Sequence, residues 1–203
     1  MKKYAVLHEP GDIVTLAGTR FVVLDVERRG SLPDSLFLLA LESVGASEFG
    51  SSNNYAESDL KKAVDKWLED MGKRGLDNAK LIPREIDLTT LDGSGCYGKL
   101  SVKAAPLTLD EAREYADIIP NAERWCWLAT GWSGPSKSDG DLVLCVNSSG
   151  GWRLNFCSYS YGIRPALKIP SDLLLDSADK PDLSEVPTDT LLEEIRRRVV
   201  DKA

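Results

Sequence analysis

The chain has 203 residues, 42% of them hydrophobic and 28% charged, with a formal net charge of -7; it is long enough to bury a real core and predicts one domain with a small appendage. The acidic balance excludes a protein that grips nucleic-acid phosphates, since such binding rests on clustered Lys and Arg, and Arg196-Arg197-Arg198 is too short a run to supply it. No apolar stretch approaches the roughly 20 residues of a membrane-spanning helix, and the early apolar run stops at His8, short of the about 7 to 15 residues of an export signal.

The first forty residues read as antiparallel strands. Asp12 to Ala17, Arg20 to Glu27 and Ser35 to Glu42 are rich in Val, Ile, Leu and Phe, with Gly18-Thr19 as a tight hairpin break, and His8 falls in a first strand. The polar loop Gly50-Ser51-Ser52-Asn53-Asn54-Tyr55 precedes a helix with Ser58 as N-cap. Leu60, Val64, Trp67, Leu68 and Met71 line one face of it, and Gly72 and Gly75 end it. Residues 82–102 read as irregular. A second helix follows Pro106, with Thr108 and Glu111 as a capping box and an apolar face running through Ile119 until Pro120 stops it. Short strands return at Trp125 to Ala129, Leu142 to Asn147, Trp152 to Phe156 and Ile163 to Ile169, separated by turn-rich segments. Pro165 forces Arg164 into an extended conformation and marks a strand end or an edge. The organisation expected is a domain over 1–170, an acidic proline-containing linker over 171–187 and an amphipathic helix over 188–203. In that last helix Thr190 and Glu193 form a capping box and Leu191, Leu192, Ile195 and Val199 a stripe. Its stripe calls for a docking surface, either on its own domain or on a second subunit.

Chemistry-bearing patterns are sparse. Cys96, Cys126, Cys145 and Cys157 form no C-x-x-C pair and His8 is the sole histidine, so no structural zinc is expected and no cofactor is called for. Four cysteines permit two disulfides, but without an export signal reduced, buried thiols are the commoner outcome. No nucleophile elbow, calcium loop or phosphate cradle is present.

The aromatic content carries more. Trp125, Trp127, Trp132, Trp152, Tyr159 and Tyr161 lie close together among Ser, Gly and Asn, the vocabulary of adaptable binding surfaces. Alternation places Trp125 and Trp127 on one side of a strand, with Cys126 and Leu128 on the other. For these two tryptophans a core position and a place on a binding face both stay open, burial being the commoner fate of such rings.

Several blocks in order resemble the family called domain of unknown function 6273, frequent in gut Firmicutes and their phages. They are Gly50 to Tyr55, Ser58-Asp59-Leu60 with Trp67-Leu68, Ile86-Asp87-Leu88-Thr89, Pro106 to Glu111 with Tyr115 and Ile119-Pro120, Trp125 to Thr130, and Tyr161-Gly162-Ile163-Arg164-Pro165-Ala166-Leu167. The resemblance covers about residues 49–169. It implies an α+β, C-type-lectin-like fold, the group that also holds formylglycine-generating-enzyme-like domains and the variable proteins of diversity-generating retroelements. In such a fold small twisted antiparallel sheets are flanked by two helices, the second half is rich in loops, and Gly162-Ile163-Arg164 belongs to a closing strand with Arg164 paired internally.

The function this implies is a non-enzymatic ligand-binding module of phage or prophage origin, of the retroelement variable type. Its loops over 132–161 would hold a protein or glycan surface through Trp132, Asn147, Trp152, Asn155, Ser158, Tyr159, Ser160 and Tyr161. Burial of Trp132, Trp152, Tyr159 and Tyr161 would remove the main support for it. Two alternatives stand beside it: a formylglycine-generating-type cysteine oxidase using Cys157, and an assembly component that forms homo-oligomers through the C-terminal helix. The expected location is cytoplasmic or virion-associated.

Overall fold

The computed structural model describes residues 2–4, 8–29, 32–135 and 139–177. The protein is a mixed α+β structure built mostly from sheets, with two α-helices and no barrel among the described residues. Strands β1 (Lys2–Tyr4), β2 (Ile13–Leu16), β3 (Thr19–Arg29) and β4 (Leu32–Ala40) open the chain, followed by β5 (Ala46–Glu48), helix α1 (Asp59–Lys73), β6 (Arg84–Asp87), β7 (Lys99–Val102) and β8 (Ala104–Ala105). Helix α2 (Leu109–Glu114) then leads to β9 (Cys126–Gly131), β10 (Leu142–Val146), β11 (Trp152–Phe156), β12 (Ser160–Gly162), β13 (Ala166–Pro170) and β14 (Leu174–Ser177). A seven-stranded sheet has the order β1-β14-β2-β3-β4-β13-β8, a five-stranded sheet the order β11-β10-β9-β12-β5, and β6 and β7 form a separate hairpin.

The early strands are apolar along their length because both faces are covered, as is usual for strands buried on two sides. Alternation sends Phe21, Val23, Leu36, Leu38 and Ala40 into one core cluster with Leu60, Val64, Leu68 and Met71 of α1. Val22, Leu24, Phe37 and Leu39 go to the other face, against Leu109 and Ala112 of α2. The five-stranded sheet divides in the same way: Trp127, Ala129, Val143 and Cys145 join the first cluster, Leu128 and Leu144 the second. Trp127 is therefore a core residue, 1% exposed.

Helix α1 begins as its sequence dictates, the Ser58 side chain accepting from Lys61 N at 2.9 Å. It ends in a Schellman arrangement: Leu76 N donates to Met71 O, Gly75 N donates to Gly72 O, and Gly75 takes φ +102. Gly72 lies inside the helix. The capping box of α2 is present, but regular helix stops at Glu114 and the chain continues to Ile118 as turns. Pro120 disfavours helical geometry in the residue before it, which weakens the last turn.

Further expectations are corrected. Residues 82–102 contain the β6–β7 hairpin, in which Arg84 pairs with Val102 and Asp87 with Lys99. Its alternation was masked because one inward position is a charged residue: Arg84 is buried, donating to Ala105 O and Pro106 O at 3.0 and 3.1 Å and pairing with Glu111. His8 lies outside the strands, buried, with Nδ1 3.3 Å from Asp12 Oδ2. The span read as a linker from 171 begins as structure, since β14 pairs with both β1 and β2. The remainder of that span and the helix expected over 188–203 lie outside the described residues.

The expected closing strand is two strands. β12 belongs to the five-stranded sheet and β13 to the seven-stranded one, and Ile163-Arg164-Pro165 carries the chain between them. The segment joining β4 to β5 makes the same transfer in the opposite direction. The two crossings are stitched together by Ala40 N to Pro165 O, Val44 N to Ile163 O and Ile163 N to Gly45 O, each 2.9 to 3.0 Å. Arg164 sits in the crossing, buried, its Nε donating to Ala40 O and its Nη1 to Pro120 O. Gly162 has no room for a side chain: a Cβ there would lie 2.7 Å from Ser43 Oγ and 2.9 Å from Cys126 Sγ. Gly162→Ala is expected to cost about 1–3 kcal/mol by overpacking, measured by urea denaturation. Gly95→Ala, where nothing lies within 4 Å, is expected to stay within about 0.5 kcal/mol.

Candidate binding face

The five-stranded sheet ends in an edge strand, β11, whose residues are exposed or half-buried throughout. By alternation Trp152, Leu154 and Phe156 share one face of it. Leu154 packs against the second core cluster, while Trp152 is 41% and Phe156 50% exposed at the two ends. After β11 the chain turns through Cys157 and Ser158 to Tyr159, which is 49% exposed, and enters β12.

A row of rings follows from this path. The centroids of Phe156 and Tyr159 are 6.2 Å apart, and Tyr159 stacks on Tyr161 at 6.1 Å with 17° between planes. Tyr161 in turn meets Trp125 at 5.4 Å and the buried Trp127 at 4.7 Å. The outer members face solvent, and the inner end is anchored in the core, where Trp127 also packs edge-on against Phe49 and donates from Nε1 to Ser47 O at 2.9 Å. Offset and edge-on contacts of this kind are favourable beyond their burial. Beside the row lies a groove of about 470 Å³ walled by Trp125, Tyr161, Ser160, Ser148, Glu123 and Arg124 with Ala46 and Gly162. It combines aromatic faces with one acid, one guanidinium and two serine hydroxyls, a set able to take apolar and hydrogen-bonding parts of a ligand together.

The predicted site residues divide into four places. Ser158, Tyr159, Ser160 and Tyr161 come together on the row or its turn, Tyr161 half-buried and the other three exposed. Asn147 and Trp152 lie at the other end of β11, where the Asn147 side-chain oxygen accepts from Ser149 N, Ser149 Oγ and Gly151 N and so builds the turn. Arg113 places its guanidinium 5.3 Å from the Trp152 ring centroid. Asn155 is half-buried on β11, its Nδ2 4.0 Å from Cys145 Sγ. Trp132 is half-buried beyond the end of β9, its N donating to Leu142 O and its O accepting from Asp92 N.

Sequence reasoning missed Phe156, Glu123 and Arg124. The signal for Phe156 was present, since it alternates with Trp152 on a strand rich in polar residues. Nothing in the sequence places Glu123 and Arg124 beside Tyr161. The polar loop 50–55 turns out to be a support: Asn53, 1% exposed, donates from Nδ2 to Ser133 O and Leu142 O and accepts from Tyr97 OH at 2.6 Å. A Cβ on Gly131 would lie 2.9 Å from the Asn53 carboxamide, so the strand end and this clamp fit only with glycine there.

All four cysteines are free thiols, Cys96 exposed and the others buried. Burial pushes the Cys126 and Cys145 thiols up to about 11 and that of Cys157 up to about 12. A reactive cysteine needs the opposite, an accessible thiol of lowered pKa. Among the described residues no group of three or more His, Cys, Asp or Glu is placed to hold a metal ion, and no helix is long and apolar enough to cross a membrane.

Compared with protein-family models, with curated proteins and with solved structures, the chain matches none.

At pH 8 a maleimide is expected to label Cys96 alone in the folded protein and all four cysteines in denaturant, counted by mass spectrometry. The raised thiols also fix the sign of an alkaline effect. Below the ordinary thiol value of 9.0 folded and unfolded chains both hold these protons. Above it the unfolded chain releases them first, so stability falls as pH rises towards about 12. Urea midpoints between pH 8 and 10.5 are expected to drop, and Cys157→Ala to flatten the slope.

Proposed function

We propose that this chain is a non-enzymatic ligand-binding module with a C-type-lectin-like fold. Its binding face is the aromatic row Phe156, Tyr159 and Tyr161 with the adjoining groove, and its ligand is a protein or glycan surface. The observation that carries this reading is the exposure of Phe156, Tyr159 and Trp152, together with the stack of Tyr159 on Tyr161. Exposed rings that the core could have taken in mark interaction surfaces more often than chance, and rings with few rotatable bonds, flanked by Ser and Asn, bind at low entropic cost.

The reading extends to origin: a phage or prophage protein of the variable type, in which the segment before the closing strands is the part that changes between copies. The row lies on that segment, from the second half of β11 to the start of β12. The oxidase alternative draws no support from Cys157, whose thiol is buried and held protonated.

The test is a Phe156→Ala/Tyr159→Ala double variant of the full chain, screened against arrayed bacterial surface polysaccharides and purified cell-surface proteins. With both rings about half exposed, the fold is expected to lose no more than about 1 kcal/mol. Binding is expected to fall at least about ten-fold if the row is the hot spot. Equal binding by the wild type and the folded variant would remove the row from the site. A neighbouring reverse-transcriptase gene with a near-repeat of the codons for 147–167 is the genomic observation that bears on origin.

A further inference from the structure

The groove beside the aromatic row is one of three concavities that share walls. Glu123 lies on the wall of that groove and of a second, of about 490 Å³, which is bounded by Gly18 and Thr19 at the β2–β3 turn, by Ser43 and Val44 of the β4-to-β5 crossing and by Trp67 of α1. Arg74, just past α1, lies on the wall of the second and of a third, of about 440 Å³, which reaches Lys80 and Asp172. The three adjoin in series, so that a trough runs from Tyr161 past Trp67 to Asp172. Such a shape suits an extended chain rather than a compact small molecule.

Its walls carry four acids and four bases, although the chain as a whole has a net charge of -7. One pair, Arg20 and Glu42, is joined by a hydrogen bond. A balanced wall selects against both polyanions and polycations, and it sets acceptor-only carboxylates beside donor-only guanidinium and ammonium groups. A hydroxyl both donates and accepts, so it can serve the two kinds at once. The apolar contribution comes from rings: Trp67, Trp125 and Tyr161 are half-buried, packed on the first core cluster and present in the trough wall. Trp67 is backed by Phe21, their centroids 6.3 Å apart. The C–H face of a pyranose lies flat on such a ring while its equatorial hydroxyls reach the polar wall. A peptide is served less well. Strand addition needs a free edge, and β5, the strand at the groove, has three residues, with Ser47 O taken by Trp127 Nε1 at 2.9 Å and Glu48 O by Ser47 Oγ at 2.6 Å.

We propose that the trough binds a linear, uncharged oligosaccharide along its length, with Trp67 as a sugar-stacking residue and Arg74 as a donor to sugar hydroxyls. The trough includes the groove beside Tyr161, so this ligand rests on the reading of that groove as a binding face; Trp67 and Arg74 lie outside the aromatic row.

The test titrates the full chain with linear hexasaccharides of glucose, mannose, xylose and N-acetylglucosamine, followed by calorimetry and tryptophan fluorescence. The matching disaccharides, hexagalacturonate and a random decapeptide pool are the controls. At least one neutral hexasaccharide is expected to bind, its disaccharide at least about ten-fold more weakly because it leaves part of the trough empty. Hexagalacturonate is expected to bind at least about ten-fold more weakly as well. Arg74→Ala, at an exposed position, and Trp67→Leu, which keeps an apolar side chain on Phe21, are each expected to weaken the hexasaccharide about ten-fold. The Phe156→Ala/Tyr159→Ala variant separates the two readings. Loss of hexasaccharide binding in that variant, with Trp67→Leu and Arg74→Ala unaffected, confines the ligand to the row and overturns the proposal. Loss in Trp67→Leu and Arg74→Ala, with the row variant unaffected, removes the row and leaves the trough. Absence of binding by every hexasaccharide, a disaccharide or hexagalacturonate as tight as the best hexasaccharide, or binding of the peptide pool in their place overturns the proposal.

Discussion

The two sheets are joined by a pair of antiparallel crossings, residues 40–46 and 162–166, and the remaining structure is arranged around that join. Neither crossing has a ladder partner in a sheet at its midpoint, so each satisfies the backbone of the other through the bonds between Ala40 and Pro165, Val44 and Ile163, and Ile163 and Gly45. Pro165 has no N–H to offer a ladder, which makes it a natural place for the chain to leave one sheet. Arg164 then ties the crossing to Ala40 and to Pro120, so the turn after α2 is held by the same side chain.

Once the sheets are joined, both faces of their central strands are covered, by α1 on one side and α2 on the other. What cannot be covered is the edge. β11 has a partner on one side only, and its turn into β12 brings Phe156, Tyr159 and Tyr161 out past the end of the core. The row is thus firm at one end and solvated at the other. Trp127 anchors it, and Trp127 is itself locked by Phe49 and by the carbonyl of Ser47. A ligand meeting Tyr159 would meet a ring whose support is already ordered, which lowers the entropic cost of contact.

Among the described residues, three buried polar side chains tie distant segments of the fold together. Arg84 is matched by Glu111, by two carbonyls and by the face of Phe37 at 5.2 Å. Asn53 is matched by Ser133, Leu142 and Tyr97, and holds the segment after β9 against the polar loop. Arg164 is matched on two of its three nitrogens, as Arg84 is, the third nitrogen of each being buried without a hydrogen-bond partner.

The local elements were legible in the residues because their causes are local. Ser58 and Thr108 cap helices through bonds to residues three positions on, and Gly75 ends α1 by adopting a left-handed φ that other residues resist. The alternation through Trp125-Cys126-Trp127-Leu128 likewise sorted Trp127 from Leu128 onto opposite faces. The β6–β7 hairpin was not legible, because its inward position holds Arg84, whose partners Glu111, Ala105 and Pro106 are far along the chain. For the same reason Tyr161-to-Leu167 read as one strand: its division depends on which sheet accepts each half. Whether an aromatic is core or surface depends on what other elements cover it. Trp127 and Tyr159 look alike in sequence, and only the tertiary structure decides that the sheets close over the first and leave the second at an edge, since burial is a property of all the surrounding chain.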